Sequence, residues 1–161
     1  MKENSDLHHK FISMVLDLAA ENASSVEGGP FAALVVCNGK IIGKGTNRVT
    51  STNDPTAHAE VVAIRDACKN KETFQLSDCD LYTSCEPCPM CLGAIYWARP
   101  ARVFYAASKR EASAAGFDDS FIYEQIPLAH ENRSIPFIHV THEEYNKPFE
   151  KWSLNGNKTE Y

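Results

Sequence analysis

No stretch of the 161-residue sequence approaches the about 20 consecutive apolar residues that a membrane-spanning helix requires, so no membrane partner is expected. The opening Met1-Lys2-Glu3-Asn4-Ser5-Asp6 has no apolar segment or cleavage pattern, so no secretory signal is expected either. Long blocks of like charge are also missing. Lys147, Lys151 and Lys158 are too few and too scattered to form a basic track. Sixteen Lys and Arg against 21 Asp and Glu give a net charge of −5, which opposes a polyanion, and no nucleic-acid partner is expected. Gly28-Gly29-Pro30 lacks the spacing and the Lys-Ser/Thr ending of a phosphate loop and reads as a tight turn. The cysteine run lacks the further Cys-Pro of a ferredoxin. Ile95 stands in its place, which disfavours an iron–sulfur cluster.

Against these absences stand two dense stretches. Thr83-Ser84-Cys85-Glu86-Pro87-Cys88-Pro89-Met90-Cys91-Leu92-Gly93-Ala94 holds three cysteines within seven residues, and Thr56-Ala57-His58-Ala59-Glu60 lies upstream of it. Thiolate and imidazole suit zinc, and a Cys-x-x-Cys spacing lets both sulfurs reach one ion. We therefore read His58, Cys88 and Cys91 as ligands of one Zn2+ per chain. Three protein ligands leave a fourth position open to water, as catalytic sites do, whereas structural sites are closed by a fourth side chain. Glu60, two residues from His58, is the candidate proton carrier. A structural site closed by Cys85 or Cys79 would leave His58 and Glu60 without a purpose. Cys37, Cys68 and Cys79 read as core thiols. Six cysteines used in this way suit a reducing compartment, so the cytosol is the expected location.

The remaining chain reads as one α/β domain, with apolar and aromatic content ordinary for a globular protein. Leu7, Phe11, Val15 and Leu18 predict an amphipathic helix over 6–23, capped by Ser5, with His8 and His9 at its solvated edge. Strands are expected at 31–37 and 40–45, joined by the hairpin signal Asn38-Gly39. A helix carrying His58 follows, capped by Asp54 or Thr56. A strand at 79–84, a helix from Pro89 to Ala98 and a strand at 102–107 form a parallel crossover. A short helix over 108–115 ends at Gly116, a last strand is expected at 137–141, and helix at 143–152. His130, His139 and His142 are isolated from the cysteine cluster. Asn155-Gly156-Asn157 favours turns, and on composition the tail would fray.

His58-Ala59-Glu60 with Pro87-Cys88-Pro89-Met90-Cys91 matches the His-x-Glu and Pro-Cys-x-x-Cys signature of zinc nucleobase deaminases. The chain resembles the cytidine deaminase superfamily, and within it the bacterial-type guanine deaminases. The likeness covers nearly the whole chain. It is most telling at Asn53 to Glu60, Ser84 to Pro100, Ala115 to Phe121 and Glu160-Tyr161. It implies a three-layer fold with a central five-stranded mixed sheet flanked by helices. It also implies hydrolytic deamination of guanine to xanthine and ammonia, with a small-molecule purine as partner. Glu60 and Asp119 become catalytic residues, and Asn47, Ala59, Phe31, Trp97, Asp119 and Tyr161 become substrate contacts. On composition alone Asn47 is a turn former, Trp97 a core aromatic and Asp119 a solvated loop residue. Relatives carry glycine where Ala32 stands. The resemblance further implies a single deaminase domain over 1–161 in a homodimer, with the tail from about 143 to 161 exchanged between subunits and Tyr161 over the pocket. Related substrates (guanosine, cytosine, a triazine, tRNA adenosine) and a non-catalytic zinc domain are the alternatives. The intact Glu60 argues against the last.

Overall fold

The computed structural model describes residues 2–161, with side chains from Asp6 onward. It divides into two compact units, Met1–Ser120 and Phe121–Tyr161.

The first unit is a sheet between helical layers. Helix α1 (Lys2–Ala23) leads into strands β1 (Ala32–Cys37) and β2 (Lys40–Thr46), a turn of helix α2 (Val49–Thr52) and helix α3 (Ala59–Lys71). Strand β3 (Cys79–Cys85), helix α4 (Pro89–Ala98), strand β4 (Arg102–Ala107) and helix α5 (Lys109–Ala114) complete it. The strand order is β2-β1-β3-β4; β1 is antiparallel to both neighbours, and β3 is parallel to β4 as expected. The strand alternation splits the core in two. Ala32, Leu34, Val36 and Tyr82 face α1, against Phe11, Val15 and Ala19. Ala33, Val35, Cys79 and Leu81 face α3 and α4, against Ala59, Ala63, Ile64, Ala67 and Ile95.

Helix α3 lies unusually close to β2. A Cβ on Gly45 would sit 2.2 Å from the Ala59 carbonyl oxygen, and one on Gly43 would sit 2.4 Å from that of Ala63. The missing side chains thus set how deeply the start of α3, and with it Glu60, sinks onto the sheet.

Several local expectations shift. Helix α1 extends back to Lys2, so Ser5 falls within its span; its side chain, expected as the cap, lies outside the described residues. His8 is not at a solvated edge. Its Nδ1 lies 2.7 Å from the Tyr82 hydroxyl and its ring stacks on Phe104 at 4.2 Å. His58 precedes α3 rather than riding on it, with extended backbone at the N-cap. Asp54 instead accepts from the Thr56 N–H and hydroxyl at 2.8 and 2.7 Å, closing the turn before the helix.

The second unit holds the end of α6 (Ser120–Gln125), a 3-10 turn (His130–Asn132) and α7 (Lys147–Leu154). Its start gathers Phe121, Ile122, Ile126, Ile135 and Phe137 around an apolar cavity of about 300 Å³. Arg133 lies over the Phe137 ring at 4.7 Å. The expected strand at 137–141 does not form. The sheet has four strands rather than five among the described residues. Phe137 follows Pro136, which has no N–H for a ladder, and the apolar Ile138 and Val140 are 82% and 78% exposed. Alternation makes a strand only where an edge pairs with it and a face buries it. The last helix starts at Lys147 rather than 143, with Pro148 in its first turn.

Candidate active site

Two helix starts and one strand end meet at the site. His58 is the N-cap of α3 and Cys88 the N-cap of α4. Neither side chain caps its own helix, so both are directed elsewhere. Cys91 lies in the first turn of α4 and is fully buried, while His58 and Cys88 are half-buried. One ligand atom from each of the three falls within 4.8 Å of the others, and the Cys88 sulfur is 3.5 Å from His58 Nδ1. A nitrogen and two sulfurs at this spacing could hold a metal ion, and three such ligands on zinc would leave one position over. Cys85 stays out of it. Its sulfur points to the Ser108 carbonyl at 3.5 Å, and burial pushes its thiol up to about 11.

Glu60, in the first turn of α3, is only 6% exposed. Its Oε1 accepts from the Thr83 hydroxyl at 3.1 Å, and its Oε2 accepts from the Cys91 thiol at 3.4 Å. Burial raises its carboxyl above the usual carboxylate range. The two thiols divide their protons unequally. Hydrogen bonding from Cys91, with His58 behind it, brings Cys88 down to about 4. The same pairing, with burial, pushes Cys91 up. The bond with Cys88 raises His58 against the opposing effect of burial. The cluster is thus arranged to hold negative charge on sulfur beside a carboxyl that can carry a proton.

Asn47 is buried at the end of β2. Its Oδ1 accepts from the Gly29 and Val49 N–H groups, both at 3.2 Å. Two backbone donors fix the amide orientation and commit the oxygen, which leaves Nδ2 as the end available to a ligand. Asn22 braces this loop from α1, donating to the carbonyls of Gly29 at 2.7 Å and Asn47 at 3.0 Å. Gly28 has to lack a side chain, since a Cβ there would lie 2.3 Å from the Asn47 carbonyl oxygen.

Beside this loop Phe31 packs edge-on against Phe117 at 4.9 Å. The acidic pair that follows divides its labour. Asp118 accepts from the Ser120 N–H at 3.0 Å, at the start of α6. Asp119 is left half-buried, and its carboxyl is raised first by burial and then by the charge on Cys88. Ala59 is fully buried at the first position of α3. Ala32 directs its methyl group into the α1-side core, on the opposite face of the sheet from Ala59. Trp97, on α4, is 62% exposed, and Tyr161, in the second unit, is 71% exposed.

Sequence reasoning did not single out Thr83, Asn22 or Phe117. Thr83 and Phe117 were visible only as neighbours of the motifs. Asn22, the next-to-last residue of a long amphipathic helix, carries no local signal.

A family model for the cytidine and deoxycytidylate deaminase zinc-binding region matches residues 5–107. The chain belongs to this deaminase family. It is 57% identical over 154 residues to the guanine deaminase of Bacillus subtilis (strain 168), covering 96% of this chain and 99% of that one. The X-ray structure of guanine deaminase from Bacillus subtilis superposes with a TM-score of 0.94 at 57% identity, over 96% of this chain and 98% of the other. The guanine deaminase from Nitrosomonas europaea matches with a TM-score of 0.64 at 38% identity, over 68% of this chain and 63% of that one. A tRNA-specific adenosine deaminase of Buchnera aphidicola is 40% identical over 111 residues, 69% of this chain and 72% of its own. The domain of this family is a zinc-binding deaminase domain, and the His58, Cys88 and Cys91 group of this chain could hold such an ion. Metal analysis should find that His58→Ala and Cys88→Ala each hold one equivalent of zinc less than the unaltered chain while Cys85→Ala keeps it. Loss with Cys85→Ala and retention with Cys88→Ala would refute the assignment.

Proposed function

We propose that the chain converts guanine and water to xanthine and ammonia. The observation that carries this reading is the extent of the likeness. The family model ends at residue 107, but identity with a guanine deaminase runs over 96% of the chain, including the region of Asp119. The −5 net charge also suits a free base better than an RNA.

Bound at His58, Cys88 and Cys91, zinc would supply a Lewis acid that makes water a nucleophile near neutral pH. The chain's own groups account for the remaining steps. Glu60 takes a proton from the water that adds to C2 and passes it to N3. It then helps protonate the 2-amino group, whose bond to C2 breaks as ammonia leaves. Burial of Glu60 favours this traffic, because a carboxyl raised above the usual carboxylate range holds the proton it takes from water more readily. The free Asn47 Nδ2 donates to an acceptor on the carbonyl and ring-nitrogen edge of the purine. Asp119 accepts from the ring N–H and amino group and relays a proton towards the departing nitrogen. Phe31 and Phe117 offer an aromatic wall for the flat base.

The reading extends to a homodimer in the cytosol. Six free cysteines suit a reducing compartment. Ile138, Val140, Phe149, Leu154 and, in the first unit, Tyr96 and Trp97 are large apolar residues left in water, more than a solitary chain usually shows. We infer that a second copy covers them, that the segment from about 143 to 161 is exchanged, and that Tyr161 closes the partner's pocket.

Glu60→Gln should fold and retain zinc yet lose at least about 100-fold in turnover, the lower range for a lost general acid–base group. Asp119→Ala should lose about tenfold or more on guanine with its zinc unchanged, since an unpaired polar group in a dry pocket costs about 1–3 kcal/mol. Turnover near that of the unaltered enzyme in either variant refutes the corresponding role.

Deleting residues 156–161 should leave fold and zinc intact while raising KM or lowering kcat for guanine. Unchanged kinetics would refute the lid. A monomer in sedimentation analysis of the full chain would refute the exchange.

A further inference from the structure

We propose that Cys37, Asp78 and Cys79 form a second metal site, which takes a thiophilic divalent cation with a filled d shell, such as Zn2+ or Cd2+. The cysteines end β1 and begin β3, and they are direct partners in the antiparallel register. Cys79 gives its N–H to the Leu76 carbonyl and its own carbonyl accepts from the Ala101 N–H, both at 2.8 Å. That leaves Cys37 and Cys79 as a non-hydrogen-bonded pair, the type in which facing Cα atoms approach to about 4.5 Å and side chains stand closest.

Asp78 spans the pair. Its Oδ2 lies 3.3 Å from the Cys37 sulfur and its Oδ1 lies 3.5 Å from the Cys79 sulfur. One ligand atom from each of the three residues falls within 4.8 Å of the others, a spacing shared among the described residues only with the His58 cluster. The Asn38 amide donates to the Cys37 sulfur at 3.8 Å, which favours thiolate.

Charge fits a divalent cation. Lys71, at the C-terminal end of α3, holds its ammonium 3.1 Å from Asp78 Oδ1. Two thiolates, one carboxylate, one ammonium and one divalent cation sum to zero. Sulfur ligands select soft cations over magnesium or calcium. Cys79 is buried, but Cys37 is half-buried and Asp78 exposed, which gives the ion a way in.

The site is separate from the catalytic one. The thirteen residue steps of α3 from its N-cap His58 to Lys71 set the two clusters roughly 20 Å apart at about 1.5 Å per residue. A cation here would tie the end of β1 to the start of β3 and draw in α3 through Lys71, without touching the reacting groups.

The test is zinc per chain, measured by mass spectrometry of tag-free, fully reduced protein after dialysis against micromolar Zn2+. The unaltered chain should hold one equivalent more than Cys37→Ser and Asp78→Asn, whose altered side chains lie outside the buried core. Both variants should keep full guanine deamination, which shows that they are folded. Titration with Cd2+ should give a thiolate-to-metal ultraviolet band that Cys37→Ser reduces. Equal zinc content in the unaltered chain and both variants would overturn the proposal.

Discussion

The arrangement depends on a carboxyl group kept out of water beside two sulfurs. Left alone, a buried carboxylate is expensive, and a buried unpaired polar atom costs about 1–3 kcal/mol. The fold offsets that cost with two hydrogen bonds from separate elements, Thr83 on β3 and Cys91 on α4. Glu60 itself comes from a third element, α3. Its position is therefore set only when strand and helices are assembled together. This gives a reason for the close seat of α3 on β2. With Gly43 and Gly45 replaced by larger residues, the helix start would rise and the carboxyl would lose its partners.

The same economy of backbone runs through the rest of the site. His58 and Cys88 each occupy an N-cap, where the chain changes from extended to helical and the side chain swings away from the helix axis. The helix N-termini place partial positive charge near the sulfurs. Asn47 is held by its own loop through Oδ1, so the specificity it can impart is that of a donor alone. A base whose edge offers an acceptor satisfies it, and one that offers a donor leaves two donors facing each other.

How legible this was in the sequence follows from the range of each signal. The His-x-Glu and Cys-x-x-Cys spacings bring their residues together through two helix starts, so local sequence carries most of the geometry. The hairpin at Asn38-Gly39, the helix opened by Pro89 and the strand at 102–107 likewise rest on neighbouring residues, and the structure has them where expected. What escaped depends on distant packing. Whether Ile138 and Val140 make a strand depends on a pairing edge elsewhere. His8 is drawn to Tyr82 across 74 residues, and Asn22 reaches the Asn47 loop across 25. The acidic pair illustrates the limit well. Asp118 and Asp119 are adjacent and identical in type, yet one closes a turn and the other is raised by burial and then by the charge on Cys88. Only the three-dimensional arrangement separates them.

The most direct test of the account is ammonia release by the zinc-loaded enzyme from guanine, guanosine, cytosine, adenine, a triazine and a tRNA anticodon stem-loop, compared as kcat/KM. A site that meets the base with an Asn47 donor and an Asp119 acceptor should favour guanine over cytosine, adenine, the triazine and the tRNA by about 100-fold or more. Equal or faster turnover of cytosine or of the tRNA adenosine would contradict it.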